Sequence, residues 1–185
     1  MSVESELAEL KATVQHLKDR QDILDCIVRE SRGRDRHDTE LTASCYWPEG
    51  ADEHGAVPLP ASIYPEKANE GHEVAFGMNQ HNLANHTCEI VGDTAYCETY
   101  VVGTFLSHDD QTCTIAAGRY MDQMEKRNGE WRILWRRSTT ETAMQGSAEW
   151  LQNPAVKGFL RSVRSREDIS YHRPYVVGGP GERWK

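Results

Sequence analysis

Residues 83–142 read LANHTCEIVGDTAYCETYVVGTFLSHDDQTCTIAAGRYMDQMEKRNGEWRILWRRSTTET. This stretch holds four runs rich in Thr, Val, Ile, Tyr and Trp, which are residue types that favour strands. Short polar segments of the kind that form hairpin turns separate the runs, namely Gly92-Asp93, His108-Asp109-Asp110 and Asn128-Gly129. The pattern predicts an antiparallel meander with strands over residues 83–91, 94–107, 111–126 and 130–142.

Helical patterns come before the meander. Between residues 4 and 32, apolar residues recur every three, four or seven positions and charged residues fill the gaps, which predicts an amphipathic helix that Gly33 ends. The other predicted elements are shorter: a helix over residues 39–45 capped by Asp38, a strand over residues 51–57 and a helix between Pro65 and Met78. Helices that cover one face of a meander define an α+β domain.

The chain is expected to have two parts. Residues 1–145 hold the helices and the meander, with the leading helix as an extension, and residues 146–185 hold a short helix and a tail rich in Pro and Gly. Within residues 157–185 there are seven Lys or Arg and three Asp or Glu, so this tail is basic on an acidic protein. Because opposite charges attract, the tail is expected to pack on the acidic body or on a neighbouring subunit.

Length and charge restrict the class of partner. The chain has 185 residues with 21 Lys or Arg and 29 Asp or Glu, which gives a net charge of −8 with histidine neutral. Such an acidic protein argues against nucleic acid or an anionic membrane surface as the partner. Apolar runs fall well short of the roughly 18 residues that span a bilayer, and the acidic N-terminus lacks the pattern of a secretory signal. We therefore expect a cytoplasmic protein with a small-molecule partner.

Cysteine and histidine spacings do not indicate a metal site or a disulfide framework. The five cysteines form no C-x-x-C motif, and the eight histidines form no H-x-H, H-x-x-x-H or H-E-x-x-H motif. A glycine-rich nucleotide loop is also missing from the sequence. No cofactor and no metal are expected, and the thiols are expected to be reduced. A Cys88–Cys97 disulfide stays open as an alternative, because a turn at Gly92-Asp93 places these residues opposite each other.

The order of the predicted elements and several short segments together resemble one protein family. The segments are Gly33–Asp38, Tyr46–Gly55, His81–Asn85, Ile90–Ala95, Gly118–Tyr120 and Asn128–Ile133. Over residues 15–145, the chain resembles the SnoaL-like branch of the nuclear transport factor 2-like superfamily, which includes scytalone dehydratase and the dehydrochlorinase LinA. The resemblance implies a cone-shaped, cystatin-like α+β barrel in which N-terminal helices cover a curved, mostly antiparallel sheet.

The resemblance also implies a pair of reacting groups. In the two enzymes named, an aspartate at the end of the first helix and a histidine just before the second strand form a catalytic dyad, and Asp35 and His81 match them by position. An imidazole with a pKa of about 6.5 accepts a proton at neutral pH, and a carboxylate on its other nitrogen stabilises the imidazolium. From the residues alone, the alternative is structural, with His81 a polar strand residue and Asp35 a cap. Asp38 fits an N-cap better than a catalytic acid.

Five further residues complete the predicted pocket. His54 matches a pocket tyrosine of the dehydratase and is expected to hydrogen-bond a leaving oxygen, and either Tyr46 or Trp47 is expected to face the cavity. Arg136 matches a cavity residue of the dehydrochlorinase, where its charge would stabilise an anionic leaving group or a phenolate. Arg119 is a competing candidate for this role. A surface salt bridge is the alternative for both arginines.

These residues predict a cofactor-independent lyase. His81 would act as general base and Asp35 would orient it, so that water, halide or formaldehyde is eliminated from an aromatic or cyclic small molecule. A non-catalytic module for ligand binding or subunit assembly is the first alternative, since a fold does not imply a function. An isomerase or polyketide cyclase is the second, since proton abstraction beside a carbonyl begins in the same way. The leading helix and the basic tail further predict a homodimer or homotrimer.

Overall fold

A computed structural model of the chain describes residues 2–185. Within these residues it contains three α-helices, six β-strands and two short 3₁₀ helices. The helices are α1 (Val3–Asp35), α2 (Thr39–Ala43) and α3 (Tyr64–Ala75), and the 3₁₀ helices are Glu149–Gln152 and Ile169–Tyr171. The strands are β1 (Tyr46–Glu53), β2 (Leu59–Pro60), β3 (Met78–Val91), β4 (Thr94–Leu106), β5 (Thr112–Arg127) and β6 (Glu130–Ser147).

The four long strands form the predicted antiparallel meander, and two shorter strands extend it. The strand order is β2-β1-β6-β5-β4-β3, with β1 parallel to β6 and every other neighbouring pair antiparallel. Two of the turns need the left-handed backbone conformation, with φ of +61° at Gly92 and +83° at Gly129. The fold class is α+β as predicted. Within residues 2–185 the curved sheet stays open, because β2 and β3 are edges that do not pair with each other.

The first strand begins earlier than the sequence predicts, at Tyr46 rather than at residue 51. Pairing with β6 draws these residues into the sheet, since Tyr46 lies opposite Ile133 in a parallel register. The register then shifts before Ala51, and this irregularity accommodates Pro48, which has no backbone N–H to donate. The strand therefore continues past the proline.

The first strand of the meander, β3, also begins earlier, at Met78 rather than at residue 83. Its first residues are Met-Asn-Gln-His-Asn, which have little intrinsic preference for strand. They form a strand because they pair with the end of β4, with Met78 opposite Leu106 and His81 opposite Gly103. His81 consequently lies inside β3, and the sequence-based prediction that it precedes the strand is wrong.

The first helix continues past Gly33 and ends at Asp35. The glycine lies inside the helix and allows close packing there, because a Cβ atom at this position would lie 2.9 Å from the backbone nitrogen of Thr42. α2 can therefore approach the last turn of α1 closely. Asp38 caps α2 as predicted, since its Oδ1 atom accepts a hydrogen bond from Leu41 N at 3.1 Å.

The second half of α1 packs on the sheet, whereas the first half does not. Ile23, Cys26 and Ile27 are fully buried, and they pack with residues of β1, β5 and β6, namely Tyr46, Met124, Trp131 and Ile133. Residues 3–18 are exposed throughout, including an apolar stripe of Val3, Leu7, Leu10, Val14 and Leu17. No helix among residues 2–185 combines the length and the apolar character that crossing a membrane requires.

The basic tail packs on the body through ion pairs. Three tail arginines pair with acidic residues of the body: Arg161 with Asp110, Arg164 with Glu73, and Arg166 with both Asp38 and Glu40. Their N–O distances lie between 2.7 and 2.9 Å. Arg164 also donates to the carbonyl oxygen of His72 at 3.1 Å, so the tail lies beside α3. Of the two locations that the charge balance predicts, the tail therefore occupies the acidic body of its own chain.

Candidate active site

Asp35 and His81 lie in contact, and four hydrogen bonds hold the carboxylate. Asp35 is the last residue of α1, and His81 lies near the start of β3. His81 Nδ1 lies 2.6 Å from Asp35 Oδ1, and the backbone nitrogen of His81 donates to the two carboxylate oxygens at 3.1 and 3.0 Å. Asn79 Nδ2 also donates to Asp35 Oδ1, at 3.2 Å. The two residues that the sequence singles out thus join the end of α1 to β3.

Burial sets the protonation states of this pair. It raises the pKa of Asp35 to about 6, against the opposing effect of the His81 backbone N–H. Burial, assisted by the charge of Arg34, also lowers the pKa of His81 well below its ordinary value of 6.5. At neutral pH the pair is therefore a neutral imidazole beside an ionised carboxylate. Nδ1 then donates its proton to Asp35, and Nε2 keeps the lone pair that can accept a proton from a ligand.

His81 forms part of the wall of a cavity with a volume of about 210 Å³. Val101 and Phe105 give this wall an apolar side, and small residues of the sheet leave space for a ligand, namely Gly103, Ala116, Ala117 and Gly118. A second cavity of about 250 Å³ adjoins the first, since His54 lines both. A concave space with apolar walls and a few converging polar groups is the usual form of a small-molecule site.

Arg34 brings a buried positive charge to the second cavity. The residue is 1% exposed, and its guanidinium donates to the Tyr120 hydroxyl at 3.4 Å and lies 3.3 Å from His72 Nε2. Within residues 2–185 its Nε atom has no hydrogen-bond partner, and its side chain forms no ion pair with a carboxylate. The charges of Glu30 and Asp52 act on Arg34 from beyond contact distance. A buried cation that no carboxylate contacts directly is costly, so Arg34 is a candidate group for holding an anion or a developing negative charge.

The sequence pattern around Arg34 also marks this residue, although the predicted pocket does not include it. Ile23, Ile27, Glu30 and Arg34 are spaced by four, three and four positions, which places them on one face of α1. All four are at most 1% exposed, so this is the face that packs on the sheet. Two charged residues on an otherwise apolar helix face indicate a buried polar site.

His54 forms a second acid–imidazole arrangement, in which the imidazole is partly exposed at the cavities and the acid, Asp52, is buried. Its Nδ1 atom lies 2.9 Å from Ser138 Oγ and 3.6 Å from Asp52 Oδ1. Asp52 is fully buried and accepts a hydrogen bond from the Tyr46 hydroxyl at 2.6 Å. Burial, followed by the charge of Arg34, lowers the pKa of His54, so the ring is neutral at neutral pH. The structure thus places His54 at the cavity, whereas Tyr46 lies behind it and contacts Asp52.

Arg136 does not line either cavity, because buried carboxylates occupy its guanidinium. It forms a two-bond pair with Asp122 at 2.6 and 2.9 Å and a further bond to Glu30 at 2.5 Å. Its guanidinium carbon also lies 4.2 Å from the ring centre of the buried Tyr120. The predicted position of Arg136 in the cavity is therefore wrong.

Arg119 and Trp47 also lie outside both cavities. Arg119 precedes the buried Tyr120 on β5, and successive strand residues face opposite sides of the sheet. It pairs on the outer face with Glu98 at 2.8 Å and with Glu141 at 2.5 Å, which is the predicted surface alternative. Trp47 Nε1 donates to the carbonyl oxygen of Glu125 at 3.0 Å. These contacts stabilise the sheet and leave neither residue facing a ligand.

One group within residues 2–185 has side chains at separations that could hold a metal ion, and it lies outside both cavities. The group consists of His86, Cys88 and Cys97. The cysteines lie opposite each other on β3 and β4 as the Gly92-Asp93 turn predicts, and both are free thiols.

The fold and the cavity together define an α+β domain with an open, curved sheet and a buried aspartate–histidine pair. Residues 15–137 match the family model described as a SnoaL-like domain, and the chain belongs to this family. The comparison with curated protein sequences finds no match.

Solved structures with the same fold include two named for elimination enzymes. A hexachlorocyclohexane dehydrochlorinase, LinA type 2, is 18% identical, with a TM-score of 0.67 over 72% of this chain and 93% of the other. A protein from Novosphingobium aromaticivorans provisionally named scytalone dehydratase is 18% identical, with a TM-score of 0.65 over 71% of this chain and 90% of the other. A protein of unknown function with a cystatin-like fold, from Nostoc punctiforme, is 19% identical, with a TM-score of 0.58 over 66% and 91%. At these identities the likeness establishes the fold.

Proposed function

We propose that the protein is a cofactor-independent lyase that eliminates a small group from an aromatic or cyclic molecule bound beside His81. For loss of formaldehyde, His81 Nε2 takes the hydroxyl proton of the hydroxymethyl group, the C–C bond breaks as the C=O bond of formaldehyde forms, and the electron pair of the broken C–C bond forms the new double bond as a group X leaves the neighbouring carbon. For loss of water or halide, His81 Nε2 takes a proton from the carbon next to the one that bears the leaving group. The electron pair of the broken C–H bond forms the new double bond, and the C–X bond breaks as X departs with its electron pair. Asp35 stabilises the imidazolium that forms and holds the ring in its orientation.

Arg34 and His54 are the groups that we assign to the leaving side of the reaction. The buried charge of Arg34 opposes the negative charge that grows on a departing halide or oxygen, or on a phenolate. His54 lies on the wall common to both cavities and can hydrogen-bond a leaving oxygen. The proton held by His81 then passes to the departing group or to water, and the neutral base is restored.

The observation that carries this proposal is the 2.6 Å contact between His81 Nδ1 and Asp35 Oδ1 at the wall of a cavity. A non-catalytic ligand-binding or assembly module has no need for a base that is oriented by a carboxylate. The apolar wall at Val101 and Phe105 favours a largely apolar ligand. An isomerase or polyketide cyclase is the second candidate function, because the same base can remove a proton next to a carbonyl.

Product analysis distinguishes these functions. The purified protein is incubated with three probe classes: aromatic alcohols, chlorinated rings and phenolic diarylpropanes that carry a hydroxymethyl group. A lyase releases water, chloride or formaldehyde and gives a product of correspondingly lower mass, whereas an isomerase or cyclisation without water loss gives a product of equal mass. Binding of a probe with unchanged mass and structure, and with no turnover of any class, would favour the module.

We also propose that residues 146–185 act as a clasp on residues 1–145. Arg164 donates to the His72 carbonyl at 3.1 Å and approaches Asn79 Oδ1 at 3.5 Å, and Asn79 is a hydrogen-bond donor to Asp35. The tail thus contacts a residue that holds the carboxylate in place. This arrangement supports a two-part organisation in which the tail helps to fix the site.

We further propose a homodimer that forms through the first half of α1. The exposed residues Val3, Leu7, Leu10, Val14 and Leu17 follow the four-three spacing of a coiled-coil seam. Glu6 and Lys11 flank this stripe on opposite sides, so in a parallel pair Glu6 of one copy would face Lys11 of the other. The apolar stripe and the charge match favour a second copy of this chain as the partner, with a trimer as the alternative assembly.

A further inference from the structure

Three metal-binding side chains converge where β3 and β4 pair, away from the candidate active site. His86 and Cys88 are alternate residues of β3 and therefore face the same side of the sheet. Cys97 lies directly opposite Cys88 on β4. The ligand atoms of the three residues lie within 4.8 Å of one another. Sequence motifs do not reveal this group, because one of its members comes from a neighbouring strand.

The ring of His86 is oriented as in a metal ligand. Its Nδ1 atom lies 2.8 Å from Thr99 Oγ1, which fixes the orientation of the ring. Its Nε2 atom is buried and has no hydrogen-bond partner within residues 2–185. Ligating histidines typically make a hydrogen bond with one ring nitrogen and bind the ion with the other. A buried nitrogen without a partner beside two free thiols is therefore an independent indication of a ligand.

We propose that His86, Cys88 and Cys97 form a binding site for Zn²⁺ or a similarly thiophilic divalent ion. Thiolate and imidazole are the ligands that Zn²⁺ prefers, and three protein ligands leave one position of a tetrahedral ion for water. With metal–ligand bonds of about 2.0–2.3 Å, neighbouring ligand atoms lie roughly 3.5–3.8 Å apart. The 4.8 Å limit found here exceeds this by about 1 Å, which rotation of the half-buried His86 and Cys88 side chains can supply.

The position of the site indicates a structural role for the ion. Five residues of strand, roughly 16 Å, separate His86 from His81 along β3, and the three ligands line neither cavity that we assign to the reaction. An ion here would join β3 to β4 close to α1, where Arg20 donates to the Cys88 carbonyl at 2.8 Å. Ion binding stabilises the state that contains the site, so it should raise the melting temperature.

Cobalt spectroscopy on the full chain tests the site. The metal-free protein is reduced with a phosphine, and Co²⁺ is added as a spectroscopic substitute for Zn²⁺. We expect a thiolate-to-cobalt charge-transfer band that saturates at one equivalent and is lost when Zn²⁺ is added. Zn²⁺ alone should raise the melting temperature of the same sample.

Three variants connect the band to these residues. Cys88→Ser and His86→Gln should each weaken Co²⁺ binding at least tenfold, in line with the loss of one ligand, and Cys88→Ser should also lower the intensity of the band at saturation, because only the Cys97 thiolate remains. Cys113→Ser is the matched control, since Cys113 is a half-buried thiol on β5 outside the group, and it should bind like the wild type. A folded, fully reduced wild type without the band would overturn the proposal, as would wild-type affinity and intensity in Cys88→Ser or loss of the band in Cys113→Ser.

Discussion

His81 Nδ1 lies 2.6 Å from Asp35 Oδ1, although 46 residues separate the two along the chain. One residue ends α1 and the other lies in β3, so the packing of the helix on the sheet creates the contact. The backbone N–H of His81 donates to the same carboxylate, which fixes the position of Asp35 independently of the imidazole. Replacement of the ring should therefore change the chemistry of the site more than its structure.

His81→Ala should lower kcat by about 10²–10⁴-fold, the usual contribution of a general base. The substrate is the probe that the product screen identifies, and circular dichroism with thermal melting checks that the variant is folded. His108→Ala is the matched control, because His108 is an exposed histidine of the turn between β4 and β5. Near-wild-type turnover by folded His81→Ala would remove the general base from the proposal.

Asp35→Asn should also abolish most turnover, yet it should not destabilise the protein at pH 7. Burial raises the pKa of Asp35 to about 6 in the folded state, above its ordinary value of 3.8. Folding therefore favours the protonated acid, so the free energy of unfolding falls as the pH rises from 3.8 to about 6. Removing the buried charge should leave the free energy of unfolding at pH 7 unchanged or increase it by at most about 3 kcal/mol. Urea unfolding of the variant and the wild type at pH 5 and pH 7 measures the difference in free energy. The gain in the variant should be larger at pH 7, and a larger gain at pH 5 would contradict the raised pKa of Asp35.

The pH profile of kcat/KM should show an acid limb with an apparent pKa of about 6. The active form needs neutral His81 beside ionised Asp35, and the buried pair gains a proton as the pH falls through the pKa of about 6 that burial gives Asp35. Activity should therefore fall tenfold for each pH unit below that value and be constant from there to pH 8. An activity that rises on acidification would show instead that the reaction needs an imidazolium.

The meander was predictable from the sequence because each of its strands and turns is specified locally. Polar turns with Gly92 and Gly129 separate runs of strand-forming residues, and no long-range information is needed to recognise them. The starts of β1 and β3 were not predictable in this way. Pro48 and the polar residues after Met78 disfavour strand locally, and only pairing with β6 and β4 places them in the sheet.

Asp35 and His81 were predicted through the resemblance to the SnoaL-like family, because the residues alone leave a structural role for both as the alternative. Arg136 was misplaced because the face of a strand residue depends on irregularities that the sequence does not mark. The register of β6 shifts at Leu134, shortly before Arg136, so counting alternate residues along the strand fails there. The ion pair with Glu30 is a further long-range contact that no local pattern indicates.

Arg34→Met should lower activity, whereas Arg136→Met should lower stability. Arg34 has no carboxylate partner, so its loss should lower kcat by about 10²–10³-fold while the protein stays folded. Arg136 joins Glu30 and Asp122, and its loss leaves two buried carboxylates without a counter-ion, which should cost about 3–5 kcal/mol of stability. Urea unfolding and steady-state kinetics on both variants test the assignment, and a stable, inactive Arg136→Met would reverse it.

The exposed stripe on α1 should determine the oligomeric state. Sedimentation of the full chain should give the mass of a dimer, and a chain without residues 1–14 should give the mass of a monomer, because only one apolar residue of the stripe then remains. Leu10→Asp places a charge in the seam and should also give a monomer. Ala12→Asp adds the same charge on the opposite side of the helix and should remain a dimer. A shortened chain that keeps the mass of the assembly would show that the sheet or the tail, and not α1, holds the subunits together.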